Sequence, residues 1–474
     1  MHSTVSTRLN ASRLLAISSL GLLSIAAFFA CDGLVRAESD ASTLAPWQSH
    51  PGVGSAGYMS EPLPRMSEPR SQTADTIPEP PMYEELEGWS EQGVLAGSGQ
   101  GCGDDCYPGE CVYGVCPDPF RCRLWFSGEY LMWWDKSSNL PPLATTSIAG
   151  TPRDRAGVLG LSGASTIIGG QAADMGIRSG ARLTFGCWLS PCWDEAIEAT
   201  YLFFGSGKIE YNQTGDDYAI LARPFYNARG FRQDSVVLAF PEQQTGWVNA
   251  ALSNELSSLS LLYRNVFMRD ECRQFSFLAG YRFSRFNENL AVDASTRFTA
   301  AVGQVPVGTV IDTYDWFGAN NEFHGGELGF AAMSRYDRWS FEFLFKLALG
   351  GTRSRLRAAG ASAVAVPGQP IQQYDDGMLV LATNRGETAD SGFAAIPELG
   401  VNIGYMLTPR LKATVGYSFL YWSRVLRPAD RIDMHLNPSL FQGGALDGYP
   451  APEGKFVAAD YWAQGLNFGL DYRY

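Results

Sequence analysis

The sequence predicts an all-β protein: a ten-stranded antiparallel up-and-down transmembrane β-barrel with long outer loops, preceded by a disordered linker. Three observations predict it. Ten segments alternate apolar and polar side chains with period two, the mark of a strand with two unlike faces. The links between them are either tight polar turns or long stretches rich in Gly, Pro, Ser and Asn, the asymmetry of a barrel with short turns at one rim and long loops at the other. The chain also ends in GLNFGLDYRY (465–474), alternating up to a terminal aromatic, where a soluble domain would usually fray.

Composition agrees. Of 474 residues 45% are apolar and 18% charged, below the usual quarter. Gly (51) and aromatics (13%) are plentiful, which suits strands and turns. The net charge of −13 argues against nucleic acid as a partner.

Residues 1–37 read as a secretory signal peptide. Arg8 and Arg13 form a cationic start, LLAISSLGLLSIAAFFA (14–30) an apolar core, and Val35-Arg36-Ala37 a cleavage site. The alternatives are an uncleaved anchor, or a lipoprotein signal at Ala30-Cys31 that Phe28 suits poorly. No later stretch approaches the ~20 apolar residues of a membrane helix.

Residues 38–121 lack apolar periodicity. EPLPRMSEPR and IPEPPMYEELEGWSEQG read as a disordered acidic linker, which ends in the cysteine cluster CGDDCYPGECVYGVC (102–116). The barrel domain is 122–474. Its segments are 123–136, 177–188, 193–206, 256–268, 273–286, 324–335, 339–352, 397–407, 411–424 and 462–474. Tight turns lie at 189–192, 269–271, 336–338 and 408–410. The other connections are read as long loops of roughly 35–50 residues. An even strand number brings both chain ends to the short-turn, periplasmic rim.

In a bilayer one strand face must be apolar and the other can carry charge. Residues such as Phe275, Phe277, Tyr281 and Phe283, or Phe341, Phe343, Phe345, Leu347 and Leu349, form the apolar face. A soluble sandwich would alternate too, with its polar face in water outside. The opposite face carries Glu129, Glu198, Glu327, Glu342, Glu398 and Asp471 with Arg178, Arg182, Arg264, Arg282, Lys346, Lys412 and Arg473. Such charges should pair in a narrow lumen and plug it. Trp133, Trp134, Tyr421, Trp422, Tyr461 and Trp462 are expected to girdle the outer interface. Trp125, Trp188, Trp193 and Trp339 should girdle the inner one. In the last strand Asn467, Gly469, Asp471 and Arg473 face inward. Asn467-x-Gly469-x-x-Tyr472-x-Tyr474 looks like the C-terminal signal read by the barrel-assembly machinery.

FSGEYLMWWDKSSNLPPLATTS (126–147), GYSFLYWSRVLRPADRID (416–433) and AQGLNFGLDYRY (463–474) together resemble a planctomycete family of outer-membrane β-barrel proteins. The resemblance covers roughly 122–474. It implies a barrel in the outer membrane and carries over no functional residues.

Chemistry-bearing motifs are sparse. His435 in the last outer loop has Asp430, Asp433 and Ser439 nearby, so a water-activating Asp–His pair is one reading and a solvated loop histidine the other. His50 falls in the linker and His324 near the sixth segment. GLSGASTIIGG (160–170) lacks the lysine of a phosphate cradle. Asp216-Asp217 and Asp375-Asp376 could take Ca2+ or simply close turns. Cys102, Cys106, Cys111 and Cys116 lack the C-x2-C spacing of a thiolate metal site. With Cys122, Cys187, Cys192 and Cys272 they make eight mature cysteines, all on the periplasmic side, and export favours disulfides. The expected whole is a non-enzymatic outer-membrane barrel with a structural or surface-interaction role and no cofactor. Its partners are membrane lipid, the assembly machinery and an unnamed surface ligand. A narrow transport pore and an outer-rim hydrolase using His435 are the rivals.

Overall fold

A computed structural model describes residues 123–190, 193–270 and 272–473. The signal segment, the linker, the cysteine quartet, Cys122, Cys192 and Tyr474 lie outside the described residues.

Ten long strands carry the fold: β1 (Arg123–Asp135), β2 (Arg178–Trp188), β3 (Glu195–Thr214), β4 (Gln244–Arg269), β5 (Arg273–Phe298), β6 (Val310–Tyr336), β7 (Trp339–Ala365), β8 (Gly386–Met406), β9 (Leu411–Leu426) and β10 (Ala458–Arg473). Each pairs antiparallel with its sequence neighbour, and β10 also pairs with β1, so the sheet closes into a ring. Closure leaves these long strands no open edge to satisfy. A three-residue strand, Gln372–Tyr374, adds to the outer end of β7. The turns at the short-turn rim are tight: Tyr336 pairs with Trp339, and Asp337 takes a left-handed φ of 50°, which aspartate tolerates better than most residues.

The strands are longer than their sequence segments. The fifth segment was expected to stop at 286, and β5 runs to 298; the sixth was expected to start at 324, and β6 starts at 310. Residues 299–309 are therefore a short link rather than a long loop. The physical reason is an exchange of polarity between faces partway along. In β5 the outward side chains are Phe275, Phe277, Tyr281 and Phe283, then Arg285, Asn287, Asn289, Asp293 and Arg297. The inward ones are Ser276, Arg282 and Ser284, then Phe286, Leu290, Val292, Ala294 and Phe298. A search for an apolar outer face stops where that face becomes polar, although the strand and its register continue unbroken. Near the short-turn rim the ring is apolar outside and charged inside. Beyond that point it has the polarity of a water-soluble barrel.

The apolar outer belt is extensive, with Leu124, Phe185, Tyr201, Leu261, Phe277 and Leu328 all more than a third exposed. On β7 it runs from Trp339 to Leu349, about 34 Å of strand at 3.4 Å per residue. At a tilt near 40° this is about 26 Å along the axis, the ~25 Å height of an outer-membrane barrel's apolar band.

The upper barrel is roofed by a small sheet of Ala144–Ser147, Ala164–Ile168, Leu221–Asn227, Arg232–Ala239 and His435–Leu436. Its apolar side chains, among them Ala144, Ile168, Phe225 and Leu436, join Val248, Leu290, Val292, Phe317 and Val380 in one buried core. Among the described residues no helix is long and apolar enough to cross a membrane.

Candidate functional site

The bore is the feature most of the inward side chains build, and it is filled in layers. Nearest the short-turn rim, Lys412 bridges Glu342 (2.6 Å) and Asp471 (2.7 Å), and Arg264 pairs with Glu198 (2.9 Å). Ser127 also hydrogen-bonds Asp471. Arg473 lies opposite Trp125 in register.

The next layer joins strands that are not neighbours. Arg182 on β2 reaches Glu129 on β1 (3.0 Å) and Glu398 on β8 (3.1 Å). Arg282 on β5 reaches Glu327 on β6 (2.9 Å) and the same Glu398 (2.7 Å). Lys346 on β7 completes the cluster at 3.1 Å from Glu398. The Arg182–Glu398 and Arg282–Glu398 pairs therefore span the bore. Charge balances, with three carboxylates against three cations. Balance matters because an uncompensated charge in so buried a place is costly.

Above the charges lies a layer of aromatic rings. Trp133, Phe204, Phe286, Phe323, Trp422 and Tyr461 are all fully buried. Phe286 on β5 stacks near Tyr461 on β10 at 4.1 Å between centroids, and Phe323 on β6 meets Trp422 on β9 at 6.0 Å. These contacts also cross the ring. Arg182 lies 5.5 Å from the Trp133 ring, coupling the aromatic layer to the charged one. Trp133, Trp422 and Tyr461 thus belong to the interior and not to the outer girdle expected of them. Inward parity decides it, since Trp133 shares the face of Glu129 and Asp135. Trp125 likewise turns inward, across Gly186, where any Cβ would collide with its indole. Trp339 does lie on the outer surface at the short-turn rim, against Tyr405 at 4.9 Å.

Of a further, polar layer only Arg178 was singled out from sequence. Asp135 accepts hydrogen bonds from Arg178 (2.7 Å), Asn254 (3.0 Å) and the Tyr461 hydroxyl (3.0 Å). Arg427 holds Glu288 with two bonds, 2.8 and 2.6 Å, and donates to the Ser137 carbonyl. Higher still, Arg223 pairs with Asp315 (2.9 Å), which also accepts from the Leu379 and Val380 amides. Glu288, Asp315, Arg223 and Arg427 lie in stretches that read as loops, so only the inward parity of a longer strand could have found the first two.

The C-terminal motif has a packing role in the same bore. Asn467 accepts from the Trp133 indole (2.8 Å) and donates to Ser418 (2.6 Å). Gly469 faces inward where a Cβ would sit 2.4 Å from Thr414 Oγ1 and 3.0 Å from Glu129 Cγ. Tyr472 points outward and is partly exposed.

The outer loops hold the other candidates. His435 Nδ1 lies 2.8 Å from Asp433, whose carboxylate also accepts from the Glu453 amide (3.0 Å) and Lys455 Nζ (3.1 Å). Burial alone would raise the Asp433 pKa. These hydrogen bonds outweigh it and hold the carboxyl below its ordinary range. Ser439 accepts from the Asp447 amide (3.0 Å) and donates its own amide to Asn437 (3.1 Å). So Asp433 ties the 427–457 loop together, and Ser439 serves a separate turn. Asp217 caps Thr214, and Asp376 pairs with Arg385 at 3.3 Å. Among the described residues no three His, Cys, Asp or Glu gather as for a metal ion. Cys187 sits near the end of β2 and Cys272 just before β5, both at the short-turn rim.

The outer membrane protease OmpT of Escherichia coli is similar at 10% identity and TM-score 0.36, over 74% of this chain and 97% of that one. The Pseudomonas putida toluene transporter TodX is similar at 8% identity and TM-score 0.18, over 75% and 90%. An anion-selective porin from Comamonas acidovorans is similar at 8% identity and TM-score 0.15, over 74% and 100%. No curated protein matches the sequence. The model of the family described as "Putative beta barrel porin-7 (BBP7)" matches residues 125–474. The chain belongs to the BBP7 β-barrel porin family.

Proposed function

We propose that this chain is a non-enzymatic, ten-stranded outer-membrane barrel with a closed bore, and that its outer loops give it a structural or surface-interaction role. One observation carries the reading: Glu398 accepts from both Arg182 and Arg282, so ion pairs connect strands on different sides of the ring. The buried aromatic layer above them supports it. So does the apolar belt of about 26 Å, which matches a bilayer core. The test is single-channel recording of the refolded protein in a planar bilayer. Little steady conductance is expected, and a large stable conductance would overturn the closed bore.

The family's description as a porin favours a second reading, a narrow transport pore. It requires the charged and aromatic layers to rearrange, and the same recording under varied voltage tests it. The hydrolase reading rests on His435, whose carboxylate partner is committed to Lys455 and the Glu453 amide. Unchanged release of a quenched peptide library by a His435→Ala variant would retire that reading.

The remaining elements of the proposal concern export and assembly. Residues 1–37 direct secretion, and the final aromatic pattern addresses the assembly machinery. The eight mature cysteines form a disulfide collar at the periplasmic rim, with Cys122–Cys187 and Cys187–Cys192 as competing pairs. Mass mapping of the non-reduced protein distinguishes them.

A further inference from the structure

The exchange of polarity on the outer face leaves one sector of the barrel with an unusual charge pattern. At the level where the apolar belt ends, Phe283, His324, Gly351 and Phe393 stand side by side on β5 to β8. Phe393 is 71% exposed. One level farther out, Arg285, Glu322, Arg353 and Ser391 stand in register. Arg285 and Glu322 pair with each other at 2.8 Å. Arg353 is left over, and above it on the same face of β7 come Arg355 and Arg357, all three exposed.

The register sets Glu322 beside Arg353 and Glu387 beside Arg357, but among the described residues neither carboxylate forms an ion pair with the ladder, and two carboxylates do not balance three guanidiniums. Arg355 lies between Asn320 and Ala389, and Arg357 between Gly318 and Glu387. Among the described residues none of the three arginines has an ion pair or side-chain hydrogen bond. Three guanidiniums of one sign repel each other. A chain with net charge −13 has ample carboxylates that could have stood there instead.

Height identifies the occupant. Arg353 is two residues beyond Gly351, which stands beside Phe393 at the level where the belt ends. At 3.4 Å per residue and a tilt near 40° that is about 5 Å above the belt, within the headgroup layer. Arg357 is about 10 Å higher again. A phospholipid headgroup would reach the first arginine alone. A ladder that starts in the headgroup layer and rises about 10 Å beyond its first arginine fits a taller anion with phosphates at more than one height. Arginine suits phosphate because its planar fork can give two parallel hydrogen bonds.

We propose that Arg353, Arg355 and Arg357 dock a multiply phosphorylated glycolipid of the outer leaflet, with its acyl chains against Phe393 and Leu349. The proposal rests on the outer-membrane reading given above. The test uses the full chain in neutral-detergent micelles, probed with a short lipopolysaccharide whose lipid A and inner-core sugars both carry phosphates, its dephosphorylated form and inorganic pyrophosphate. The wild-type protein should retain the core-phosphorylated lipopolysaccharide through detergent exchange. An Arg353→Gln/Arg355→Gln/Arg357→Gln variant should bind it about a hundredfold more weakly. At 1.4 kcal/mol per tenfold that is roughly 3 kcal/mol, in line with ~1 per basic residue at an anionic surface. Molar salt should shrink the difference. Equal binding of the dephosphorylated lipid would overturn the proposal, as would unchanged binding by the variant. Full competition by pyrophosphate at lipid-equivalent concentrations would replace the lipid with a free anion. All three side chains are exposed, so the variant should fold, as heat-dependent gel mobility would confirm. Fractionation of wild-type cells tests the membrane reading separately: a wild-type protein found outside the outer membrane would sink that reading, whatever the micelle result.

Discussion

Arg282 offers the sharpest test of a dry, closed bore. It is 1% exposed and donates to Ser258 (3.1 Å), Glu327 (2.9 Å) and Glu398 (2.7 Å). Arg282→Met keeps most of the volume and removes the charge. Glu398 still has Arg182 and Lys346, each at 3.1 Å. Glu327, fully buried, is left among the described residues with Lys346 at 3.9 Å, too far for a hydrogen bond. Breaking a buried pair from one side costs about 3–5 kcal/mol, so the single variant should lose that much stability. Arg282→Met/Glu327→Gln removes both charges and should recover all but roughly 1–2 kcal/mol, because replacing a whole buried pair is often close to neutral. Urea unfolding of the barrel refolded in lipid vesicles, followed by tryptophan fluorescence, measures both. A single variant within about 1 kcal/mol of wild type would mean that water already solvates Glu327. A double variant no better than the single would refute the pairing. Either result would turn the balance toward a wet, conducting bore.

Conductance should respond to the layers separately. Replacing Arg264 and Arg282 by Ala should leave the barrel nearly silent, because the aromatic layer still closes it; adding Phe286→Ala and Tyr461→Ala should open it in planar-bilayer recordings. Asp433 has a depressed pKa in the folded loop, so its contribution is complete above the unfolded value of about 3.9 and is lost as pH falls through the lower folded value. Proteolysis within 427–457 should accordingly accelerate in acid, and Asp433→Asn should make the loop sensitive already at pH 7. Gly469→Ala forces a methyl against Thr414 and Glu129 and should cost about 1–3 kcal/mol by overpacking, read as a lowered urea midpoint. Tyr472→Asp/Tyr474→Asp should accumulate in the periplasm; normal outer-membrane levels would show that the terminal pattern is no address.

Much of this was legible in the sequence because one physical rule writes it there. A strand between lipid and a polar bore must alternate, so Phe275 to Phe283 on one parity and Ser276 to Ser284 on the other revealed β5. The same rule gave its limits away too early. Past Arg285 the environments exchange, and Asn287, Asn289 and Asp293 on the outer face look like a loop to anyone reading for lipid. The inward periodicity of Phe286, Leu290, Val292 and Ala294 was present all along with the opposite phase.

The sequence by itself determined the strand order and the short-turn rim, and it pointed the charges within its ten segments inward, because each depends on local parity and composition. Which charge meets which was decided by tertiary structure. Ring closure puts β2 and β5 across from β8, so Arg182 and Arg282 share Glu398, separated in sequence by 216 and 116 positions. Inward parity put Trp133, Trp422 and Tyr461 in the bore, and ring closure set Tyr461 against Phe286 and Trp422 against Phe323. An aromatic near a strand end suits either place by composition; parity chooses its face, and only the curvature of the closed sheet fixes which rings meet inside.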